Sequence, residues 1–456
     1  MTYSEYAKIE TGDKTLSGRV SKTLEQLGSS PSSSISAACK NPHQAKAVYR
    51  LLSNKKFTSE ALLDVSRHET TERIRTSGVK IVLIPQDTTS INYGGLNETS
   101  GLGTTNGYKN SRGIQLHSSL AVSEEGHVFG LLSGKAWVRP VEELGKRTQR
   151  SEKPIEEKES NKWLETLDMS DISNELNGVQ FIHICDRESD IYELFAKAES
   201  DKKTYICRRC RSRIVKTGTE ELEITQYLNK LAPSGTVMIN IPRDSHSKRE
   251  ARVATLELKY GKAMIKKPPK IKQSKVMPKY VEVTLISAKE INAPEGVEAI
   301  KWELITNDAV ETLEDAIRCV SRYTQRWKIE TFHYVLKSGC AIEKLQASTV
   351  EKLIKLIALY SVIALRIMTL TYLARTTPDD SCEAEFTADE WKILYKVAKK
   401  TKNIPNKPPT IMEAVIMLAK LGGFLARNSD AFPGVKVIWK GITSFYTILD
   451  AAAFLS

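Results

Sequence analysis

The chain reads as an α/β protein: an α/β core that carries an antiparallel β insertion, placed between a helical N-terminal part and a helical C-terminal part. Three observations predict this. From residue 80 to 200, short Val/Ile/Leu-rich runs alternate with helical patterns. From 205 to 305, five strand-like runs are separated by turns, with one short helical stretch among them. After 306 the period is helical almost to the end. At 456 residues and 41% hydrophobic content, the chain can fill two or three cores rather than remain disordered.

Leu16–Leu27 predicts a helix, residues 29–34 (SSPSSS) a turn, and Pro42–Leu52 a second helix with proline in its first turn, where a missing N–H costs least. Lys40, Lys46, Arg50, Lys55 and Lys56 lie in or beside it. They form either a basic head that docks on phosphates or a solvated helix face. Strands are expected at Lys80–Pro85, Ile114–Val122, Val128–Leu132 and Phe181–Cys185, and helices at Ser160–Leu176 and Ser189–Ala198. The insertion's strands are YICRRC, TVMINIP, ARVATLEL, YVEVTLIS and IKWELIT, with a helix at Leu222–Leu231. Lys262–Lys279 holds Lys262, Lys266, Lys267, Lys270, Lys272, Lys275 and Lys279, three prolines and no acid, and so predicts a mobile basic loop. Helices follow at Glu311–Cys319, Tyr323–Lys337, Val350–Arg375, Ala388–Lys399, Met412–Leu425 and Val437–Leu455, the last two suited to packing or oligomerisation. A polar linker at 376–385 and a Pro-rich break at 403–409 punctuate them. The expected domains are 1–70, 71–375 with an insertion at about 205–305, and 376–456.

Charge and composition narrow the function. There are 67 Lys+Arg against 55 Asp+Glu, a formal charge of +12, which points to a polyanion or an anionic surface as partner. Seven scattered cysteines suit a reducing compartment, and the single Cys207-x-x-Cys210 lacks the second pair of a structural zinc site. The N-terminus shows no basic-then-apolar leader pattern. Leu353–Ala374, the most apolar stretch, is broken by Lys355 and Arg366 and predicts a buried core helix rather than a membrane span.

Three carboxylates carry the chemistry. Asp87 ends the run KIVLIPQD and Asp186 ends FIHICD, both at the carboxyl end of an expected strand, where α/β sheets present ligands. Each could instead be a turn former or a helix cap. On the helix from Tyr323, the side chains of Tyr323, Arg326, Glu330 and Lys337 fall within a strip of about 60°, opposite Ile329, Phe332, Val335 and Leu336. A solvated face with an Arg326–Glu330 pair explains the same spacing. Three acids suit magnesium, a hard cation, and two such ions can drive phosphoryl transfer. Arg326 and Lys337 would then hold phosphates.

The spacing of Tyr323, Arg326, Glu330 and Lys337 in YTQRWKIETFHYVLK resembles the Y-R-E-K motif of DDE transposases of the IS-four family. QDTTSINY (86–93), WVRP (137–140), EKESNKWL (157–164), CDRESDIY (185–192), KWELIT (301–306) and LAKLGGF (418–424) resemble that family's segments in the same order. The resemblance implies an RNase H-like catalytic core, a helical N-terminal DNA-binding domain and a helical C-terminal dimerisation region. It also implies cut-and-paste transposition of an insertion sequence: end nicking, hairpin formation and opening, then strand transfer. Asp87, Asp186 and Glu330 match the metal triad, with two Mg²⁺ per site and Mn²⁺ as a substitute. Tyr323, Arg326 and Lys337 match phosphate contacts, Trp302 the stacking tryptophan, Trp327 a nearby aromatic and Arg208 a DNA-contacting arginine. By residue pattern alone Trp302 reads as a core residue. The implied partners are double-stranded DNA, as terminal inverted repeats and target, and a second copy of the chain in the synaptic complex, with no membrane. The implied location is cytoplasmic, at the nucleoid. A metal-dependent nuclease and a catalytically silent DNA-binding relic or inhibitor are the alternatives.

Overall fold

Capping side chains mark where the first helices begin in the computed structural model, which describes residues 3–96, 98–105, 111–143, 153–241, 250–269, 271, 277–427 and 430–455. Asp13 accepts the N–H groups of Thr15 and Leu16 and starts α1 (Lys14–Ser29). Ser34 caps α2 (Ile35–Ala38), Asn41 caps α3 (Pro42–Ser53), and Thr58 caps α4 (Ser59–Ser77), which Gly78 ends in the left-handed region at φ 68°. Four strands follow: β1 (Ile81–Asn92), β2 (Gly103–Thr104), β3 (Arg112–Val122) and β4 (Val128–Trp137).

Next come α5 (Asn161–Met169), β5 (Gln180–Cys185) and α6 (Tyr192–Ser200). The insertion holds β6 (Thr204–Arg208), β7 (Ile214–Thr217), β8 (Glu220–Glu223), α7 (Ile224–Lys230), β9 (Gly235–Ile241), β10 (Arg252–Lys266), β11 (Tyr280–Ile291) and β12 (Lys301–Thr306). The remainder is helical: α8 (Leu313–Thr324), α9 (Trp327–Tyr334), a π-helical turn (Val335–Gly339), α10 (Val350–Thr376), α11 (Ala388–Lys399), α12 (Ile411–Leu421) and α13 (Val435–Leu455).

Four expectations are corrected. β1 does not stop at Pro85; Thr88, Thr89 and Ile91 keep the β propensity of a strand as far as Asn92. Asp87 therefore lies inside a strand. The helix expected over Tyr323–Lys337 is broken: α8 ends at Thr324, Gln325 and Arg326 form a turn, and Lys337 falls in the π-helical segment. The four polar side chains thus do not share one helical strip. Lys262 and Lys266 belong to β10 and are paired with Glu311 and Glu221, so the first part of the expected basic loop is strand. Lys270, Lys272 and Lys275 lie outside the described residues. The helix expected over Ser160–Leu176 ends at Met169. The expected domain edges fall within α4, at 70, and in the last turn of α10, at 375.

The chain forms two units. One comprises Lys80–Asp87 and Lys146–Trp327. Its mixed sheet runs β1-β5-β6-β12-β11-β10-β7-β8, with β9 also on β10. β1, β5 and β6 are parallel, and the pairings within the insertion are antiparallel. One face packs Leu83, Ile182, Ile206 and Leu304 against Cys319, Val320 and Tyr323 of α8. The other packs Tyr205, Ile305 and Val283 against Trp163 of α5, Phe195 of α6 and Leu228 of α7. This three-layer arrangement satisfies both apolar faces of the sheet.

The other unit comprises Met1–Val79, Thr88–Gly145 and Lys328–Ser456. Its core gathers α1, α3, α4, the β3–β4 hairpin and α10 to α13. α10 is long and apolar enough to cross a membrane by length and composition, yet 78% of its most apolar window is buried in the protein, as expected of a core helix. α12 and α13 approach closely where Gly441 faces Leu418: a Cβ there would stand 2.0 Å from the Leu418 carbonyl oxygen. Gly441→Ala is therefore expected to destabilise the protein by about 1–3 kcal/mol in urea unfolding.

Candidate catalytic and nucleic-acid site

Parallel pairing of β1 with β5 sets Pro85 opposite Ile184. Two residues further along each strand, Asp87 and Asp186 stand at the same level on neighbouring chains, whose spacing is about 4.8 Å. Beneath them Gln86 Nε2 lies 3.3 Å from both His183 Nδ1 and Cys185 Sγ, a buried polar layer that ties the two strands. Burial holds the His183 imidazole neutral, its pKa pushed down to about 3.

The two aspartates differ in surroundings. Asp87 Oδ2 is 3.7 Å from a guanidinium nitrogen of Arg326. Asp186 Oδ1 accepts the Glu188 N–H at 2.7 Å, so it also caps the short turn Arg187–Ser189. Burial raises the Asp186 carboxyl above its ordinary value, while that hydrogen bond and the charges of Arg326 and Lys162 pull the other way. Carboxylate oxygens are the donors that a hard divalent cation takes, so the pair fits such an ion chemically. Among the described residues, no group of three or more His, Cys, Asp and Glu side chains is gathered to hold a metal.

Cations and aromatics flank the pair within the same unit. The Arg326 guanidinium lies 5.6 Å from the ring of Trp327, which is 41% exposed. Arg208 donates to the Lys301 carbonyl at 3.1 Å. Burial lowers its pKa, and the charges of Arg187 and Arg326 lower it further. Tyr323 is buried beside Arg208 and Arg326, its hydroxyl pushed up to about 12 by burial. Trp302, 8% exposed, meets Tyr323 edge-on at 5.3 Å.

The remaining expected residues lie in the other unit. Glu330 is partly buried on α9. Lys337 Nζ is 4.0 Å from Glu343, whose carboxylate accepts the Asn92 N–H at 2.8 Å. Its π-helical turn is followed by Ala341 at φ 48°, an uncommon backbone for a non-glycine residue. Lys46 and Arg50 are exposed on α3 and line, with Tyr49 and Lys40, a groove of about 820 Å³. Lys40 is paired with Asp450 at 2.5 Å.

Sequence reading missed three groups. Asp190 is fully buried and holds Arg213 together with the N–H groups of Cys210 and Arg211. Lys162 is 6% exposed and reaches Glu188 at 3.0 Å. Arg187 adds a third guanidinium near Arg208. Their signal was the density of charge in CDRESDIY and EKESNKWL. Cys207 is buried and Cys210 exposed, both free.

Comparison with known proteins bears on both ends of the chain. Residues 2–57 match the family model for transposase DNA-binding, and residues 362–455 match that for the transposase Tn5 dimerisation domain. Among solved structures, the chain is similar to one in the cryo-EM structure of a piggyBac transposase synaptic complex with hairpin DNA, at 13% identity and a TM-score of 0.31. That alignment covers 66% of this chain and 48% of the other, so the chain spans about half of that protein's length. The two ends of the chain are thus similar to transposase domains, the N-terminal end to a DNA-binding family and the C-terminal end to the Tn5 dimerisation family.

Proposed function

We propose that the protein is a DNA transposase of the IS-four type that cuts out and inserts its own element, with Asp87, Asp186 and Glu330 as its metal-binding triad. The observation that carries this reading is the shared level of Asp87 and Asp186 on adjacent parallel strands, with Arg326 beside Asp87. When bound, two Mg²⁺ ions supply charge neutralisation at the attacked phosphate and activation of the attacking oxygen. The chain's own part is positioning. Arg326, Arg208 and Lys337 hold phosphates of the cleaved strand, Arg by its planar fork and Lys as a point charge. An RNase H-like arrangement of β1, β5 and β6 carries the two aspartates, and a second copy binds through the C-terminal helices. Trp302 and the exposed Trp327 provide the aromatic groups on which a displaced base stacks, worth ~1–3 kcal/mol per base.

The test is incubation of purified protein with Mg²⁺ and a duplex bearing the element's end. Hairpin ends and joined products are expected, and chelation of the metal stops both. Nicks without joining would point to a nuclease, and binding without cleavage to a silent relic. Trp302→Ala is expected to slow hairpin formation more than the first nick. Because Trp302 is also packed against Tyr323, the ratio of the two rates is the readout, and an equal loss in both would contradict the stacking role.

A further inference from the structure

A second cationic groove flanks the exposed Lys46–Arg50 ridge of α3. It is about 550 Å³ in volume, and its walls are α1 and the His43, Gln44 and Ala47 side of α3. Lys14, Arg19 and Lys22 project into it from α1. Among the described residues no carboxylate lines it; Glu25, the one acid of α1, is not among its walls. Lys14 and Lys22 are exposed, Arg19 is half-buried, and none of the three forms an ion pair among the described residues. At Gly18, between Lys14 and Lys22 on the same side of α1, a Cβ would meet nothing within 4 Å, so the floor of the groove is open.

Some cations of this unit are held by acids. Arg366 is paired with Glu385 and Glu5, and Lys40 with Asp450. Three cations around one concave surface, of which Lys22 is partly offset by the nearby Glu25, have a cost in mutual repulsion that an anion lowers. α3 then separates two grooves, one on its Pro42, Ala45 and Tyr49 side and one on its His43, Gln44 and Ala47 side, with Lys46 and Arg50 on the exposed ridge between them. A helix is about 10–12 Å across with its side chains, and the major groove of DNA is about 12 Å wide, so a helix seated there has a phosphate strand on each side.

We propose that the groove between α1 and α3 holds one phosphodiester strand of duplex DNA, through Lys14, Arg19 and Lys22, beside the exposed Lys46–Arg50 ridge of α3. This rests on the transposase reading given above and assigns it a sequence-independent clamp. Phosphate contacts of this kind set position and salt dependence rather than base choice.

The test uses full-length protein and fluorescence anisotropy with a random-sequence duplex of about 30 base pairs, across a series of salt concentrations. The triple variant Lys14→Gln, Arg19→Gln, Lys22→Gln is expected to bind about tenfold or more weakly at physiological salt. The slope of log affinity against log salt should become shallower by about 2–3, at ~0.9 per lost phosphate contact. The single variants Lys14→Gln and Lys22→Gln, at exposed positions, should each lower the slope by about 1 and keep the wild-type melting temperature. An unchanged slope in a folded variant overturns the clamp and leaves the transposase reading intact. Failure of the wild-type protein to bind any duplex overturns both.

Discussion

Asp186→Asn is expected to abolish DNA strand cleavage and, in metal-free buffer at neutral pH, to raise the melting temperature. The first effect follows from the loss of an anionic metal ligand, and a reduction of about three orders of magnitude or more corresponds to ~4 kcal/mol of transition-state stabilisation. Glu330→Ala and Asp87→Asn should act alike, and full cleavage by any of the three would remove that residue from the triad. The second effect follows from burial. The folded chain raises the Asp186 carboxyl above its ordinary value, so without metal it binds a proton more readily than the unfolded chain. Stability then falls as pH rises through the raised value. Asparagine carries no charge and can still accept the Glu188 N–H, so it removes the penalty while keeping the cap. The difference in melting temperature should close below the ordinary aspartate range of about 3.9. A variant less stable than wild type at neutral pH would show that the cap, not the buried charge, dominates.

Asp190→Ala is expected to destabilise the protein by about 3–5 kcal/mol, the largest loss at a single polar position. Asp190 accepts Arg213 Nε at 2.8 Å and Nη2 at 2.5 Å through one oxygen. Its other oxygen accepts the N–H groups of Cys210 and Arg211 at 2.8 and 2.7 Å. Alanine would leave a buried guanidinium, packed 5.3 Å from the Phe195 ring, without its counter-charge, and two backbone donors without acceptors. Urea unfolding measures the loss. Adding Arg213→Met should recover a substantial part of it, because the unpaired charge is then gone. The turn held by Asp190 follows Arg208, so the single variant should also weaken DNA cleavage.

These two predictions show how differently two aspartates of one heptapeptide are read. In CDRESDI, Asp186 was legible as chemistry because it ends an apolar strand. Asp190 was not, because its role depends on Arg213, 23 residues away. Most helices were legible from periodicity and caps, including α11 at both ends and α3 with its proline. β1 beyond Pro85 was missed because the apolar run stops there while the strand continues through half-buried polar residues. The break at Gln325 and Arg326 was missed because no Pro or Gly announces it. The turn is made instead by the N–H groups of Gln325 and Arg326 bonding to Arg322 and Tyr323.

By itself the sequence determined what acts over a few residues: strand alternation, helical faces, side-chain caps, the placing of Asp87 and Asp186 after apolar runs, and the positive excess. The tertiary structure alone decided which charges meet. It set Asp87 level with Asp186 through strand register, gave Lys262 and Lys266 acidic partners in place of a free loop, and joined residues 1–79 and 328–456 around one core. It also left the cations of α1 facing an open groove. The reason is range: propensity and periodicity are local. Pairing across tens or hundreds of residues is settled by which apolar faces must be covered together, and the polar groups take the neighbours that packing leaves them.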